Sequence, residues 1–261
     1  MKPLFTKKYL SLYYETEMKN NNLCKIFFLF IFIIFLFIYR FINAETKSFN
    51  KNKFSKKIFE KIILNVPFTA QAPYGNWKDS RFQDGCEEAS VLMAMYWVNN
   101  KILSKKTASK LIKDISAYQK NKYGNYYDTS SADTVKRIFK EYFKYHNVKL
   151  KTNITTKDII KELRKRNLIL VPVNGRKLNN IYYTPPGPER HMLVIKGWNA
   201  KTQNFITNDS GTRRGFNYKY SKNVLFRAIR DYKTGYHEKI DKIQKVMIVV
   251  SKNSKILKER R

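Results

Sequence analysis

The sequence has little cysteine, histidine or acidic residue, and each shortage excludes a class of protein. Two cysteines in 261 residues cannot form the disulfide framework of a small secreted domain or a zinc site built on cysteine. Three histidines leave little material for a metal centre, so we expect neither a metal nor a cofactor. Only 20 acidic residues oppose 52 basic ones, which gives a net charge of +32.

This excess of positive charge does not by itself identify a nucleic-acid-binding protein. Most of the basic residues are lysines, whereas phosphate recognition favours the planar guanidinium of arginine. They are also spread along the chain, apart from a short basic tail over residues 252–261. We therefore expect a solvated basic surface and no nucleic-acid partner, with an anionic cell-envelope polymer as the alternative partner. A content of 43% hydrophobic residues excludes a disordered chain.

An apolar run near the amino terminus is typical of an export signal. Ile26–Tyr39 reads IFFLFIFIIFLFIY, a helix about 21 Å long, which is shorter than the bilayer core of about 30 Å. Lys25 precedes the run, and Ala44 follows it as a small residue suited to signal cleavage. We interpret residues 1–44 as a signal peptide or a membrane anchor, with Met18 as an alternative start. The rest of the chain is then expected outside the cytoplasm.

The remainder is predicted to be a basic linker (residues 45–60), one domain (residues 61–251) and the basic tail (252–261). Apolar residues at spacings of three and four predict helices from Cys86 and over Lys105–Tyr118, Ser131–Tyr145 and Thr156–Arg166. Apolar runs predict strands over 168–173, 191–198, 204–208 and 245–250, with a short helix over 220–230. This order predicts an α+β fold in which amino-terminal helices pack on an antiparallel sheet.

Loss of a signal peptide would remove Cys24 and leave Cys86 as the one thiol. In the motif DGCEEAS, Asp84 can cap a helix and Glu87 can complete a capping-box-like pair. Cys86 would then lie in the first turn, where free N–H groups and the helix dipole favour a thiolate. The two adjacent glutamates oppose this effect, so a thiolate needs a positive partner such as an imidazolium. The alternative is a structural cysteine in the core.

The strands predicted over 191–198 and 204–208 are expected to form a hairpin. Residues equidistant from a turn centred on residue 200 lie opposite each other, which pairs His191 with Asp209. An aspartate in that position can hold the imidazole and stabilise its charge, as the third member of a catalytic triad does. A register slip of one residue would place Asn208 or Ser210 there instead. The alternative is a structural hydrogen bond between two strands.

Cys86, His191 and Asp209 together have the residue types and the chain order of a papain-like thiol hydrolase. His191 would take the thiol proton, the thiolate would attack an acyl carbonyl, and the imidazolium would protonate the leaving group. The oxyanion hole would combine the backbone N–H of Cys86 with a side-chain amide. Gln71 is the candidate for that amide and Gln83 is the alternative.

Four motifs resemble the bacterial peptidase-C39-like family, which is related to the peptidases that process bacteriocin leaders. They are VPFTAQAPYGNW, QDGCEEASVLMAMYW, PPGPERHMLVIKGW and FITNDSGTRRGFNYKY. The resemblance extends over about residues 64–231. It implies a papain-like α+β fold and catalytic roles for Cys86, His191 and Asp209.

The segment after Asp209 and one aromatic residue are candidates for substrate binding. Arg213 and Arg214 lie in the glycine-bounded segment SGTRRG, where they can bind a substrate carboxylate or pair with local acids. Trp77 can line the same cleft or simply pack. The sequence thus predicts an exported cysteine peptidase that cleaves amide bonds in a peptide or protein substrate. The alternative is a catalytically silent envelope-binding module.

Overall fold

The computed structural model describes residues 33–43, 60–240 and 242–252. The predictions for Met18, Cys24, Lys25 and Ala44, for the linker before Glu60 and for the tail beyond Lys252 lie outside these residues. Residues 33–43 form helix α1 and belong to a unit of their own (Met1–Lys57). Among the described residues, no helix has both the length and the apolar character needed to cross a membrane.

The second unit of the chain contains both helices and strands, with most helices before most strands. The helices are α2 (Ser80–Gln83), α3 (Cys86–Val98), α4 (Lys105–Tyr123), α5 (Ser131–Asp133), a π-helix (Thr134–Tyr142), α6 (Thr156–Arg164), a 3-10 helix (Gly175–Leu178) and α7 (Lys222–Ala228). The strands are β1 (Lys61–Ile63), β2 (Val148–Thr152), β3 (Leu168–Val173), β4 (His191–Asn199), β5 (Asn204–Asn208), β6 (Tyr218–Ser221) and β7 (Val246–Val250).

The strands form one antiparallel sheet. Its order is β2-β7-β3-β4-β5-β6, and β1 pairs with the end of β4. Residues 197–199 of β4 pair with both β1 and β5, so β1 continues the edge of β4 that β3 leaves. The α+β class and the antiparallel sheet agree with the prediction from the sequence.

Apolar side chains of successive strand residues enter two separate cores on the two faces of the sheet. In β3, Leu168 and Leu170 join the core beneath α3, α4 and the π-helix. Ile169 and Val171 join the core beneath α6 and α7. Each such fully buried side chain contributes roughly 1.5–3 kcal/mol. Burial on both faces explains why these strands read as continuous apolar runs.

Most predicted elements are found, but the helix predicted over Ser131–Tyr145 is instead α5 followed by a π-helix, and the helix predicted over 220–230 begins only after β6, at Lys222. Strand β2 was not predicted, because VKLKT carries lysines on its exposed side. Helix α4 continues to Tyr123 and ends at Gly124, whose positive φ of 79° closes the helix. The amino-terminal end of α6 is capped by Thr155, and a capping box with Asp158 is formed.

Candidate active site

Cys86 is the first residue of α3, as the sequence predicts. The predicted cap is wrong, however, because Gly85 is the N-cap and forms no side-chain hydrogen bond. Asp84 instead ends α2, with φ −103° and ψ 13°, whereas a capping side chain needs an extended backbone. The two helices follow each other so closely that a Cβ on Gly85 would lie 2.5 Å from the carbonyl oxygen of Arg81. The sharp connection directs Cys86 towards the amino-terminal end of β4.

The sulfur of Cys86 is buried between a backbone amide and a carboxyl group. The N–H of Met192 donates to Sγ at 3.3 Å, and the thiol donates to Oε2 of Glu87 at 3.1 Å. Burial raises the pKa of the Cys86 thiol well above its usual value, and Glu87 raises it further, whereas the Met192 N–H lowers it. The resting side chain is therefore a thiol, and a base must take its proton before the sulfur can act as a nucleophile.

His191 and Asp209 are in contact, as the sequence predicts. Nε2 of His191 lies 2.8 Å from Oδ1 of Asp209, and both side chains are buried. An ionised carboxylate only accepts hydrogen bonds, so the proton is assigned to Nε2. This assignment leaves Nδ1 as the basic nitrogen. Because His191 directly precedes Met192, whose N–H contacts Cys86 Sγ, the base and the nucleophile lie near the amino-terminal end of β4 and line one cavity.

The predicted register of the hairpin is wrong, although the predicted pair forms. Asn199 pairs with Asn204, because the turn spans residues 200–203 and not 199–202. The side chain of Asn199 accepts the N–H groups of Lys201 and Thr202, which closes the longer turn.

A β-bulge then changes which residues share a face of the sheet. The register shifts between Ile195 and Gly197, so the extra residue is Lys196. Beyond the bulge, Val194 pairs with Asn208. Continued by one residue, this register places Leu193 opposite Asp209. Asp209 thus lies on the face of His191 as its diagonal neighbour, whereas without the bulge it would lie on the opposite face.

Asp209 accepts hydrogen bonds from three side chains that the sequence did not reveal. Its Oδ2 accepts from the hydroxyls of Tyr183 (2.7 Å) and Tyr220 (2.5 Å) and from the amide of Asn180 (3.2 Å). Its Oδ1 accepts from the N–H of Gly211 (3.0 Å) besides His191. Tyr220 lies in the fourth motif, but Asn180 and Tyr183 lie in the loop before β4, outside all four motifs.

These bonds set the charge of the acid. Burial alone raises the pKa of Asp209, but His191 and the two tyrosine hydroxyls more than offset it and lower the pKa to about 2. Asp209 is therefore ionised at neutral pH and can stabilise an imidazolium.

The site opens into a cavity of about 840 Å³. Its wall includes every residue that the sequence predicts for substrate binding, namely Trp77, Arg213 and Arg214. The guanidinium of Arg214 lies over the ring of Tyr182, at 4.9 Å from its centroid. The other residues lining the cavity are Gln71, Gln83, Asp84, Cys86, Asp128, Tyr182, Tyr183, Thr184, Pro188, Arg190, His191, Gly211 and Thr212.

Gln71 and Gln83, the two oxyanion candidates, differ in how their amides are used. Nε2 of Gln71 donates to the carbonyl oxygens of Phe82 (3.0 Å) and Gln83 (2.7 Å), which occupies both of its hydrogens. Its Oε1 is buried and has no hydrogen-bond partner among the described residues. The side chain of Gln83 is exposed at the cavity. Gln71 therefore needs a rotation of its amide group to donate to an oxyanion, and its role stays a prediction.

Within the described ranges, no group of three or more His, Cys, Asp or Glu side chains is arranged to hold a metal ion.

The site consists of a thiol, an imidazole and a carboxylate, with an anionic wall at Asp84 and a cationic wall at Arg213 and Arg214. Burial and the charge of Asp128 raise the pKa of Asp84 to about 6. Such a set of groups can perform nucleophilic acyl transfer.

Comparison with known proteins identifies a family and a similarity to solved structures. The Peptidase_C39 like family matches residues 63–244. Among solved structures, the chain is similar to a Bacillus anthracis protein described provisionally as a C39-like peptidase. The two share 14% identity over 75% of this chain and 100% of that chain, with a TM-score of 0.43. No curated protein matches the sequence.

Proposed function

Because this chain belongs to the Peptidase_C39 like family, we propose that it is a cysteine peptidase that acts through Cys86, His191 and Asp209. The family membership confirms the resemblance seen in the sequence and, with it, the papain-like α+β fold. The single observation that best supports the triad is the contact of His191 Nε2 with Asp209 Oδ1 at 2.8 Å. His191 is next to Met192, whose N–H donates to Cys86 Sγ.

The reaction begins with proton transfer from the Cys86 thiol to Nδ1 of His191. Asp209 stabilises the imidazolium that forms, because it is ionised and hydrogen-bonded to Nε2. The thiolate attacks the carbonyl carbon of the scissile amide, and the imidazolium returns the proton to the leaving amine. In the second step, Nδ1 of His191 takes a proton from a water molecule, which attacks and hydrolyses the thioester.

The oxyanion of each tetrahedral intermediate forms next to the first turn of α3. The backbone N–H of Cys86 is one of the four amides that have no acceptor within the helix, and it is available to the oxyanion. A side-chain amide from Gln71, or from Gln83 as the alternative, completes the hole. Trp77, Arg213 and Arg214 bind the peptide on either side.

The experiment is cleavage of a diverse peptide mixture, read by mass spectrometry. The full chain with Cys24→Ser keeps Cys86 as its one thiol and serves as the reference. We expect Cys86→Ala and His191→Ala to abolish cleavage, and His146→Ala, which changes an exposed histidine outside the cavity, to preserve it. Cleavage that survives Cys86→Ala contradicts the proposal.

One observation favours a second function, a silent binding module that retains the fold. The thiol donates to Glu87 and forms no hydrogen bond with His191 among the described residues. If this arrangement is permanent, the reference protein binds peptides without cleaving them. In that case Arg213→Ala and Arg214→Ala lower peptide affinity, and Cys86→Ala does not.

Export and attachment to the envelope remain parts of the proposal that rest on the sequence. The apolar run Ile26–Tyr39 and the basic residue before it support export. Amino-terminal sequencing of the protein recovered outside the cell tests this, and a mature end near Glu45 is the expected result. Binding to an anionic polymer should weaken steeply with salt if charge drives it.

A further inference from the structure

Glu87, the residue after the nucleophile, is buried in contact with two other groups that can carry a proton. One carboxyl oxygen, Oε2, lies 3.1 Å from Cys86 Sγ, and the other, Oε1, lies 2.5 Å from the hydroxyl of Tyr232. Glu87 is 1% exposed and Tyr232 is 4% exposed. The carboxyl group therefore bridges a phenol and the reacting sulfur, away from bulk water.

The groups that face Glu87 do not neutralise its negative charge. Cys86 and Glu88 flank it on α3, Tyr232 comes from the segment after α7, and Asp128 from the loop before α5. Arg190 pairs with Asp128 at 3.7 Å. In the described residues, no basic side chain forms an ion pair with Glu87.

These surroundings favour the protonated form of Glu87. Burial and the charge of Asp128 raise its pKa, the hydrogen bonds from Tyr232 and Cys86 lower it, and the net pKa is about 8. At pH 7 the group is then mostly protonated. A protonated carboxyl group has one O–H donor, and the sulfur is its neighbour on the side that Tyr232 does not occupy.

We propose that protonated Glu87 is a catalytic residue that donates a hydrogen bond to the sulfur of Cys86 as the thiolate forms. The inference rests on the proposed function, because it needs His191 to remove the thiol proton. In the resting state the thiol donates to Glu87. When Nδ1 of His191 takes that proton, the sulfur becomes an acceptor, and the O–H of Glu87 turns towards it. The carboxyl proton stays on Glu87 throughout, so no proton is gained or lost.

The proposal makes the reaction sensitive to the charge of Glu87. Above pH 8 the carboxylate has no proton to donate and repels the thiolate, so formation of the thiolate–imidazolium pair becomes less favourable. At pH 9 about one tenth of Glu87 remains protonated, which predicts a loss of about tenfold. Glutamine in the same place is neutral at every pH, and its amide can donate to the sulfur while its oxygen accepts from Tyr232.

The experiment measures the rate at which iodoacetamide alkylates Cys86 between pH 5.5 and 9.5, in the full chain with Cys24→Ser. We expect the rate to fall about tenfold from pH 7 to pH 9, before free thiol ionisation raises it again. With Glu87→Gln this fall should disappear. With Glu87→Met, which is neutral but cannot donate, the rate at pH 7 should drop at least tenfold. Equal rates for the glutamine and methionine variants would show that donation is irrelevant and overturn the proposal.

A second variant keeps the test decisive if substitutions at Glu87 prevent folding. Tyr232→Phe removes a hydrogen bond that lowers the pKa of Glu87, so the fall in rate should move to higher pH. A fall at unchanged pH overturns the proposal. His191→Ala separates the two levels of the argument. If it leaves the alkylation rate unchanged, the proposed function fails. If it slows alkylation while Glu87→Gln keeps the wild-type profile, only the role of Glu87 fails.

Discussion

Replacement of Asp209 by asparagine is the perturbation whose energetic cost the structure defines best. The carboxylate receives hydrogen-bond donors on both oxygens: His191 and Gly211 on Oδ1, and two tyrosines and Asn180 on Oδ2. An asparagine amide can accept on one side only. Its NH₂ group must therefore face donors on the other side, and those donors must turn away or lose their partner.

The pKa of Asp209 gives the magnitude. It falls from 3.8 to about 2 on folding, which corresponds to about 2 kcal/mol of stabilisation of the ionised form. Since the folded-state pKa lies below the unfolded value, this stabilisation is present above a pH of about 4 and is lost as the pH falls towards 2. With the misplaced amide donor included, we expect Asp209→Asn to cost about 2–4 kcal/mol at pH 7.

The assay is denaturant unfolding of both proteins at pH 7, 5, 4 and 3. The difference in free energy of unfolding should shrink by about 1 kcal/mol between pH 7 and pH 3, because Asp209 of the wild type takes up a proton in the unfolded state while it stays ionised in the folded state, and the variant has no such group. Asp114→Asn is the matched control, since this carboxylate forms an exposed pair with Lys110 and should cost less than about 1 kcal/mol. A difference at Asp209 that does not change with pH would refute the reasoning.

Three further substitutions test other parts of the account. Gly215→Ala should disrupt the site, because a Cβ would lie 1.8 Å from the carbonyl oxygen of Asp209; peptide cleavage should be lost together with more than about 2 kcal/mol of stability, and full activity would contradict this. Lys196→Met should raise the denaturant midpoint at pH 7, because burial lowers the pKa of Lys196 to about 8 and the buried charge destabilises the wild type. The gain in stability should shrink from pH 8 to pH 10.5, as the wild-type native state loses that charge. Thr155→Ala should cost about 1 kcal/mol by removing the cap of α6, without any change in cleavage.

The sequence predicted the contact of His191 with Asp209 for a reason that was only partly correct. In the assumed register the residue numbers of each pair add up to an even number, and the same holds for the register beyond the bulge. Both registers therefore place His191 and Asp209 on one face of the sheet. The longer turn shifts the register by three residues, which alone would move Asp209 to the opposite face of the sheet from His191. The bulge at Lys196 shifts the register by one residue and returns Asp209 to the face of His191. Neither the Asx turn at Asn199 nor the bulge has a distinct signal in this sequence.

The start of α3 shows the limit of capping patterns. The motif around Cys86 fits a cap by Asp84, but α2 immediately precedes it and keeps Asp84 out of the extended backbone that a cap needs. Glu87 was predicted to serve the helix end and is instead directed inward to Cys86 and Tyr232. Tyr232 lies 145 residues away in the chain, and tertiary packing alone brings it there. Apolar periodicity, by contrast, located α4 and β3 well, because burial of whole faces determines those elements.

The most direct test of the central claim is the dependence of Cys86 reactivity on His191. Iodoacetamide alkylation of Cys86 should be measured at pH 7 in the full chain with Cys24→Ser, with and without His191→Ala. If His191 is the base that removes the thiol proton, its loss should slow alkylation by about 100-fold, while His146→Ala should leave the rate unchanged. Equal rates with and without His191 would contradict the account and leave Cys86 a structural cysteine.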